Sequence, residues 1–134
     1  MAVANNERQI TWSSSNSASV SAGSTQASDA ASFSATAFAA MITLKADNNG
    51  TPASGDTVDF FALVSCGDPD GSGSDEYPND DSDGMFLARL DTNADDPALT
   101  TVALPVGKAV KLYAKNNSSG RAITVSACIN EKTA

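Results

Sequence analysis

Residues 57–66, TVDFFALVSC, alternate: Val58, Phe60, Ala62, Val64 and Cys66 fall on one side of an extended chain, and Asp59, Phe61, Leu63 and Ser65 on the other. Successive side chains of a strand point to opposite faces, so this stretch reads as a strand with one apolar face and one mixed face. The same two-residue beat runs outward from it. Toward the C-terminus, Val110, Leu112 and Ala114 alternate with Lys111, Tyr113 and Lys115, and Ile123, Val125, Ala127 and Ile129 alternate with Thr124, Ser126, Cys128 and Asn130. The polar turn NNSSG, residues 116–120, joins the two, and the pair is expected as a C-terminal hairpin. MITLKA (41–46), MFLARLD (85–91) and LTTVALPV (99–106), the last closed by Pro105 and Gly107, read as further strands.

The segment 13–40 is the ambiguous part, because 19 of its 28 residues are Ser or Ala and an alanine run has helix propensity. Yet Ser32, Ser34 and Thr36 alternate with Phe33, Ala35 and Ala37, which favours strands of small residues. Eight or nine short strands without βαβ alternation predict an all-β fold: a single antiparallel β-sandwich, jelly-roll-like, of about eight strands. An immunoglobulin-like sandwich is the alternative, and the absence of a tryptophan between Cys66 and Cys128 weighs against it. At 134 residues the chain is read as one domain, with an N-terminal arm over 1–8, the sandwich over 9–134, and an acidic loop over 67–84. Trp12, the only tryptophan, is expected in the core.

Composition narrows the chemistry. There is no histidine and there are only two cysteines, without a CxxC, which removes Ser-His-Asp and Cys-His nucleophiles and nearly every zinc site. Phosphate-binding glycine motifs are absent too. A carboxylate pair remains, but glycoside hydrolysis needs one carboxyl kept protonated in an apolar pocket, and the acid-rich loop has no such company. No enzyme and no cofactor are expected. Cys66 and Cys128 are expected as small buried residues in a reducing cytoplasm, with a disulfide as the alternative. No span reaches the roughly 18 apolar residues of a membrane helix. Glu7 and Arg8 stand where a signal peptide would be apolar, so a soluble chain without an export signal is expected.

The net charge of −8 is unevenly placed: residues 1–44 carry −1, 45–96 carry −11 and 97–134 carry +4. So acidic a surface repels phosphate backbones, and nucleic acid is not an expected partner. The loop GDPDGSGSDEYPNDDSDG, residues 67–84, holds seven of the sixteen acids and no Lys or Arg. An EF-hand register started at Asp68 places Asp70, Ser72, Gly73 and Glu76 suitably, but its twelfth position is Asn79 instead of a bidentate Glu. The loop is expected to be mobile and solvated, with a calcium site of another type as the alternative.

The phrases LKADNNGTPASGDTVDFF (44–61), FLARLDTNADDPA (86–98) and KLYAKNNSSGRAITVSACI (111–129) resemble a group of small proteins encoded beside the capsid genes of tailed bacteriophages. The resemblance implies a virion structural protein, most simply a head decoration (cement) protein that binds the outside of the expanded major-capsid lattice, commonly as a trimer. The implied partner is the major capsid protein, and the implied location the outer capsid surface after synthesis in the host cytoplasm. The resemblance supplies no catalytic residues. Lys108, Lys111, Lys115 and Arg121 are the candidates for a capsid or subunit contact, against the plainer reading of a solvated face. The N-terminal segment 2–12 is a second candidate. Another virion component (tail tube, head completion, fibre or baseplate) and a calcium-dependent carbohydrate-binding or adhesion module are the alternatives. The last would call for exposed aromatic rings, which are few here.

Overall fold

The computed structural model describes residues 2–134; Met1, at the start of the stretch expected as an arm, lies outside the described residues. Ten strands follow: β1 (Ala4–Gln9), β2 (Ala18–Val20), β3 (Thr25–Ala27), β4 (Ala31–Ser32), β5 (Ala37–Asn48), β6 (Thr57–Ser65), β7 (Met85–Asp91), β8 (Ala98–Ala103), β9 (Ala109–Asn116) and β10 (Ile123–Thr133). Among the described residues there is no helix. Sheet one has the order β1-β10-β5-β8 with β2 also on β10, and sheet two the order β3-β9-β6-β7 with β4 also on β9. Every pairing is antiparallel. The result is a jelly-roll-like β-sandwich.

The Ser/Ala-rich segment is extended, as its alternation predicts, but its strands are very short and lie at the margins. It pairs with β10 through β2 and then crosses to β9 through β3 and β4. Ala4–Gln9 pair with β10 from Ala4↔Thr133 to Gln9↔Cys128, so this part of the N-terminal stretch is an edge strand of sheet one.

The expected C-terminal hairpin does not form. β9 and β10 are consecutive but belong to opposite sheets, β9 pairing with β6 and β10 with β5. Residues 117–122 therefore arch over the end of the sandwich. The reason is that both strands carry an apolar face: Leu112 and Ala114 on one and Val125 and Ala127 on the other are all buried in the common core. Side-by-side pairing would place these rows next to each other in one layer, whereas separate sheets bury them against each other. The core is completed by Ile42, Leu44, Val58, Phe60, Ile123 and Ile129, with Trp12 and Ile10 closing it beside β10.

The cysteines depart from expectation. Both thiols are free; Cys66 lies just past the end of β6 and is exposed, and Cys128 is half-buried. Cys128 shares its parity along β10 with Thr124 and Ser126, so it points away from the core.

Candidate functional site

Each sheet presents an outer face, and the two differ in kind. On sheet two, the register places Asp59 opposite Lys115, Phe61 opposite Tyr113 and Leu63 opposite Lys111, all on the outward parity of β6 and β9. Across β7, Arg89 pairs with Asp59 and Phe86 with Phe61. The Arg89 guanidinium binds the Asp59 carboxylate through two bonds of 2.7 and 2.9 Å, and Asn117 Nδ2 adds a third of 3.1 Å. The Arg89 bonds, opposed by burial and helped by Asn117, hold Asp59 below the usual carboxylate range. The Phe61 and Phe86 rings meet edge to face, with centroids 5.6 Å apart.

The acidic segment 67–84 does not stand away in water: it folds back across this face. Lys108 Nζ lies 2.8 Å from Asp75, Lys115 Nζ lies 3.2 Å from Asp81, and Lys111 Nζ sits 4.5 Å from the centre of the Tyr77 ring. Where the segment rejoins β7, Gly84 is pressed onto the sheet, because a Cβ there would come within 2.8 Å of Leu63 Cδ2 and 3.3 Å of Phe61 Cβ. Leu63 is thereby buried to 2% exposure although it faces away from the sandwich core. Covering such a side chain contributes about 2 kcal/mol. The lysine tethers are largely exposed and individually contribute little.

Three of the residues expected to face a partner, Lys108, Lys111 and Lys115, are thus brought together along β9 and its approach, and all three are engaged by the chain's own acidic segment. Arg121 lies elsewhere. It belongs to the loop end of the sandwich, where its NH1 is 3.6 Å from the buried Asp56. Burial pushes the Asp56 carboxyl up. Bonds from Ser118 Oγ (2.7 Å), the Ala53 amide (3.0 Å) and Asn48 Nδ2 (3.1 Å), with Arg121, outweigh it and leave the group below the usual range. Asp56 so ties together the loops 49–56 and 117–122, and its backbone carbonyl accepts from Thr92 at the end of β7.

Within the acidic segment, Asp68, Asp70 and Glu76 bring carboxylate oxygens within 4.8 Å of one another. They could hold a divalent cation, though calcium requires six to eight oxygens. The Asp68 carboxylate already accepts the Gly73 amide and the Ser72 hydroxyl. The Gly73 bond, chiefly, lowers it to about 2. Cys66, Gly67, Pro69 and these two outer carboxylates, Asp68 and Glu76, line an open cleft of about 210 Å³.

Sheet one is bare. Its outward row on β5 is Ala39, Met41, Thr43, Lys45 and Asp47, flanked by Leu99, Thr101 and Ala103 of β8 and by Thr124, Ser126, Cys128, Asn130 and Lys132 of β10. Asn5, Glu7 and Gln9 of β1 complete it, and none of these residues is aromatic. Two open depressions lie along the strands. One, of about 430 Å³, has a floor of Ala39, Ala40 and Met41 and a rim of Asn5, Asn130 and Lys132; the other, of about 190 Å³, is lined by Gln9, Thr43, Lys45, Leu99, Ser126, Ala127 and Cys128. Between Ser126–Cys128 and Asn130–Lys132 the strand advances four residues, roughly 13 Å. Lys132 Nζ donates to Asn5 Oδ1 at 3.1 Å, and the Thr43 and Thr101 hydroxyls are bonded at 2.7 Å. The sequence reading passed over this face; its signal was Met41, an apolar residue at an outward position of β5, exposed to 44%.

No protein-family model and no curated protein matches the chain. Among solved structures, the C-terminal family 6 carbohydrate-binding module of LamC, a laminarinase from Zobellia galactanivorans, aligns over 94% of this chain and 99% of its own, with a TM-score of 0.51 and 11% identity. The Clostridium thermocellum xylanase 10B structure containing a family 22 carbohydrate-binding module and its catalytic module, with xylohexaose, aligns over 84% of this chain at TM-score 0.54 and 16% identity. BuGH86 in complex with neoagarooctaose aligns over 99% at TM-score 0.51 and 14% identity. The chain spans about a fifth of the length of the latter two proteins. At these identities the likeness is one of fold.

Proposed function

We propose that the chain is a non-catalytic binding module that holds a neutral glycan on the outer face of sheet one. The observation that carries this reading is the pair of in-line depressions on an uncovered face, with an apolar floor at Ala39 and Met41 and amide rims at Asn5 and Asn130. A sugar presents apolar C–H patches and hydroxyls that both donate and accept. An apolar floor with amides around it matches both, and the extended spacing suits a polymer more than a single sugar. Thioether and methyl groups replace the stacking ring here. The full-length alignment with a carbohydrate-binding module supports the same choice. The charges on the face cancel, Glu7 and Asp47 against Lys45 and Lys132, so a neutral ligand is favoured over an anionic one. The test is affinity electrophoresis and calorimetry against a β-glucan, a xylan and an agarose. Binding at micromolar to millimolar strength to at least one is the expected result, and no binding to any at millimolar concentration would discard the reading.

A second reading follows from the sequence resemblance: the same flat, neutral face docks on a phage capsid, with the chain acting as a decoration protein. Its expected lysine contact would have to compete with the acidic segment, which makes the uncovered sheet one the simpler docking face. Several copies, a trimer in this reading, would add avidity to weak single contacts. Co-sedimentation with expanded capsids and the copy number on the particle separate it from the glycan reading.

A further inference from the structure

We propose that residues 67–84 form a salt-labile strap, latched over sheet two by Lys108, Lys111 and Lys115, whose middle lifts and frees these three lysines when the charges are screened.

The strap is held in two different ways along its length. Its C-terminal end is pinned by close packing of Gly84 on Leu63 and Phe61, and backbone bonds from the Asp83 and Gly84 amides to Asp80 carry that anchoring back one turn. Its middle has no such packing. Asp75 and Asp81 reach Lys108 and Lys115, whose side chains are 61% and 44% exposed, and Tyr77 lies against the Lys111 ammonium. Charge pairs this exposed are weak and respond to salt, since the screening length falls from about 10 Å at 0.1 M to about 3 Å at 1 M. The other five acids of the strap have no cationic partner within ion-pair distance among the described residues. Contact with the three lysines therefore carries the middle of the strap, which lies at the low-stability end of the fold.

Lys111 and Lys115 flank Tyr113 on the outward parity of β9, with Lys108 at its approach, while Leu63 and Phe61 stay under Gly84. Two surfaces are therefore built into one small domain: a permanent one on sheet one and a conditional one on sheet two. The condition is electrostatic. Screening, or a competitor for the three lysines, lifts the strap from its N-terminal side while Gly84 acts as the hinge.

The experiment uses the intact chain and a Glu-specific protease. Glu76 is the one glutamate of the strap, the others being Glu7 and Glu131 in β1 and β10. Cleavage after Glu76, normalised to an unstructured peptide substrate in the same buffer, is expected to speed up about two- to thirty-fold between low salt and 1 M salt, the range set by two exposed ion pairs. The Lys108→Ala/Lys115→Ala double variant should be cleaved at the fast rate already at low salt and should lose the salt response. Hydrogen exchange of the Glu76 amide, bonded to Gly67 O at 2.9 Å, gives a reading that needs neither cleavage nor substitution. Salt-independent cleavage and exchange, with a double variant that behaves as wild type, would show the strap to be a fixed part of the fold and overturn the proposal.

Discussion

The two outer faces of this sandwich are built on the same strand geometry and are finished in opposite ways. Sheet two sets Phe61, Leu63 and Tyr113 outward and then covers part of them with eighteen residues of its own chain, whose acids meet the lysines of β9. Sheet one sets Ala39, Met41, Thr43 and Asn130 outward and leaves them open. An outward apolar row is either covered or left exposed, and the chain does one on each sheet. A partner that prefers an uncovered, charge-balanced surface finds it on sheet one, and one that needs the lysines of sheet two must first displace the strap.

Breaking sheet one's frame should have the largest effect. Glu131 is buried at 1% exposure and accepts from Asn6 Nδ2 (2.8 Å), Arg8 (3.2 Å) and the Ser34 amide (3.2 Å), joining β1 to β10 and to the turn before β5. Glu131→Ala is expected to cost about 3 kcal/mol, lowering the melting temperature by roughly 10 °C, because three donors lose a buried charged acceptor. A drop under 2 °C would mean that β1 is held by its ladder alone. Next comes the hinge of the strap. Gly84→Val forces a side chain against Leu63 Cδ2 and Asp80 O and should cost about 2 kcal/mol, while ligand binding on sheet one stays unchanged; loss of that binding would show that the two faces are not independent.

A smaller effect tests the open face directly. Asn130→Ala removes a rim amide at an exposed position, so binding of a glycan should weaken about tenfold, or 1.4 kcal/mol, with the melting temperature within about 2 °C of wild type. Lys111→Ala, on the covered face, should leave that affinity unchanged. The smallest effect lies in acid. Asp59, on sheet two, is held below the usual range by Arg89, so its contribution is complete above its unfolded value near 3.9 and fades as pH falls through the lowered folded value. Thermal melts of the wild type and Asp59→Asn should therefore converge as the pH drops below about 4. Curves that stay parallel to pH 2 would place the acid sensitivity in other groups.

The sandwich was legible because a strand's period is two, and the apolar rows Val58-Phe60-Ala62, Val110-Leu112-Ala114 and Ile123-Val125-Ala127 name the buried face without any knowledge of neighbours. The same alternation cannot say which strands are partners. NNSSG looks like a hairpin turn whether the flanking strands lie in one sheet or two, and the choice was made by the need to bury both apolar rows against each other. Leu63 shows the limit at a single residue: its parity marks it as outward, yet it is among the most buried leucines because Gly84 arrives over it from 21 positions away.

Charge tells the same story. Counted along the chain, residues 45–96 and 97–134 separate into −11 and +4 and suggest that acids and lysines occupy different parts of the surface. Folding reverses that, since Asp75 and Asp81 end up on Lys108 and Lys115, 33 and 34 residues away. The sequence by itself determined an all-β chain, its buried rows, the absence of histidine chemistry and the position of the acid-rich segment, because these depend only on residue type and on a local period. Only the tertiary structure decided that the acidic segment is a cover and that sheet one is the free face. Contacts between residues tens of positions apart depend on which strands pair, and pairing is settled by packing the whole core at once.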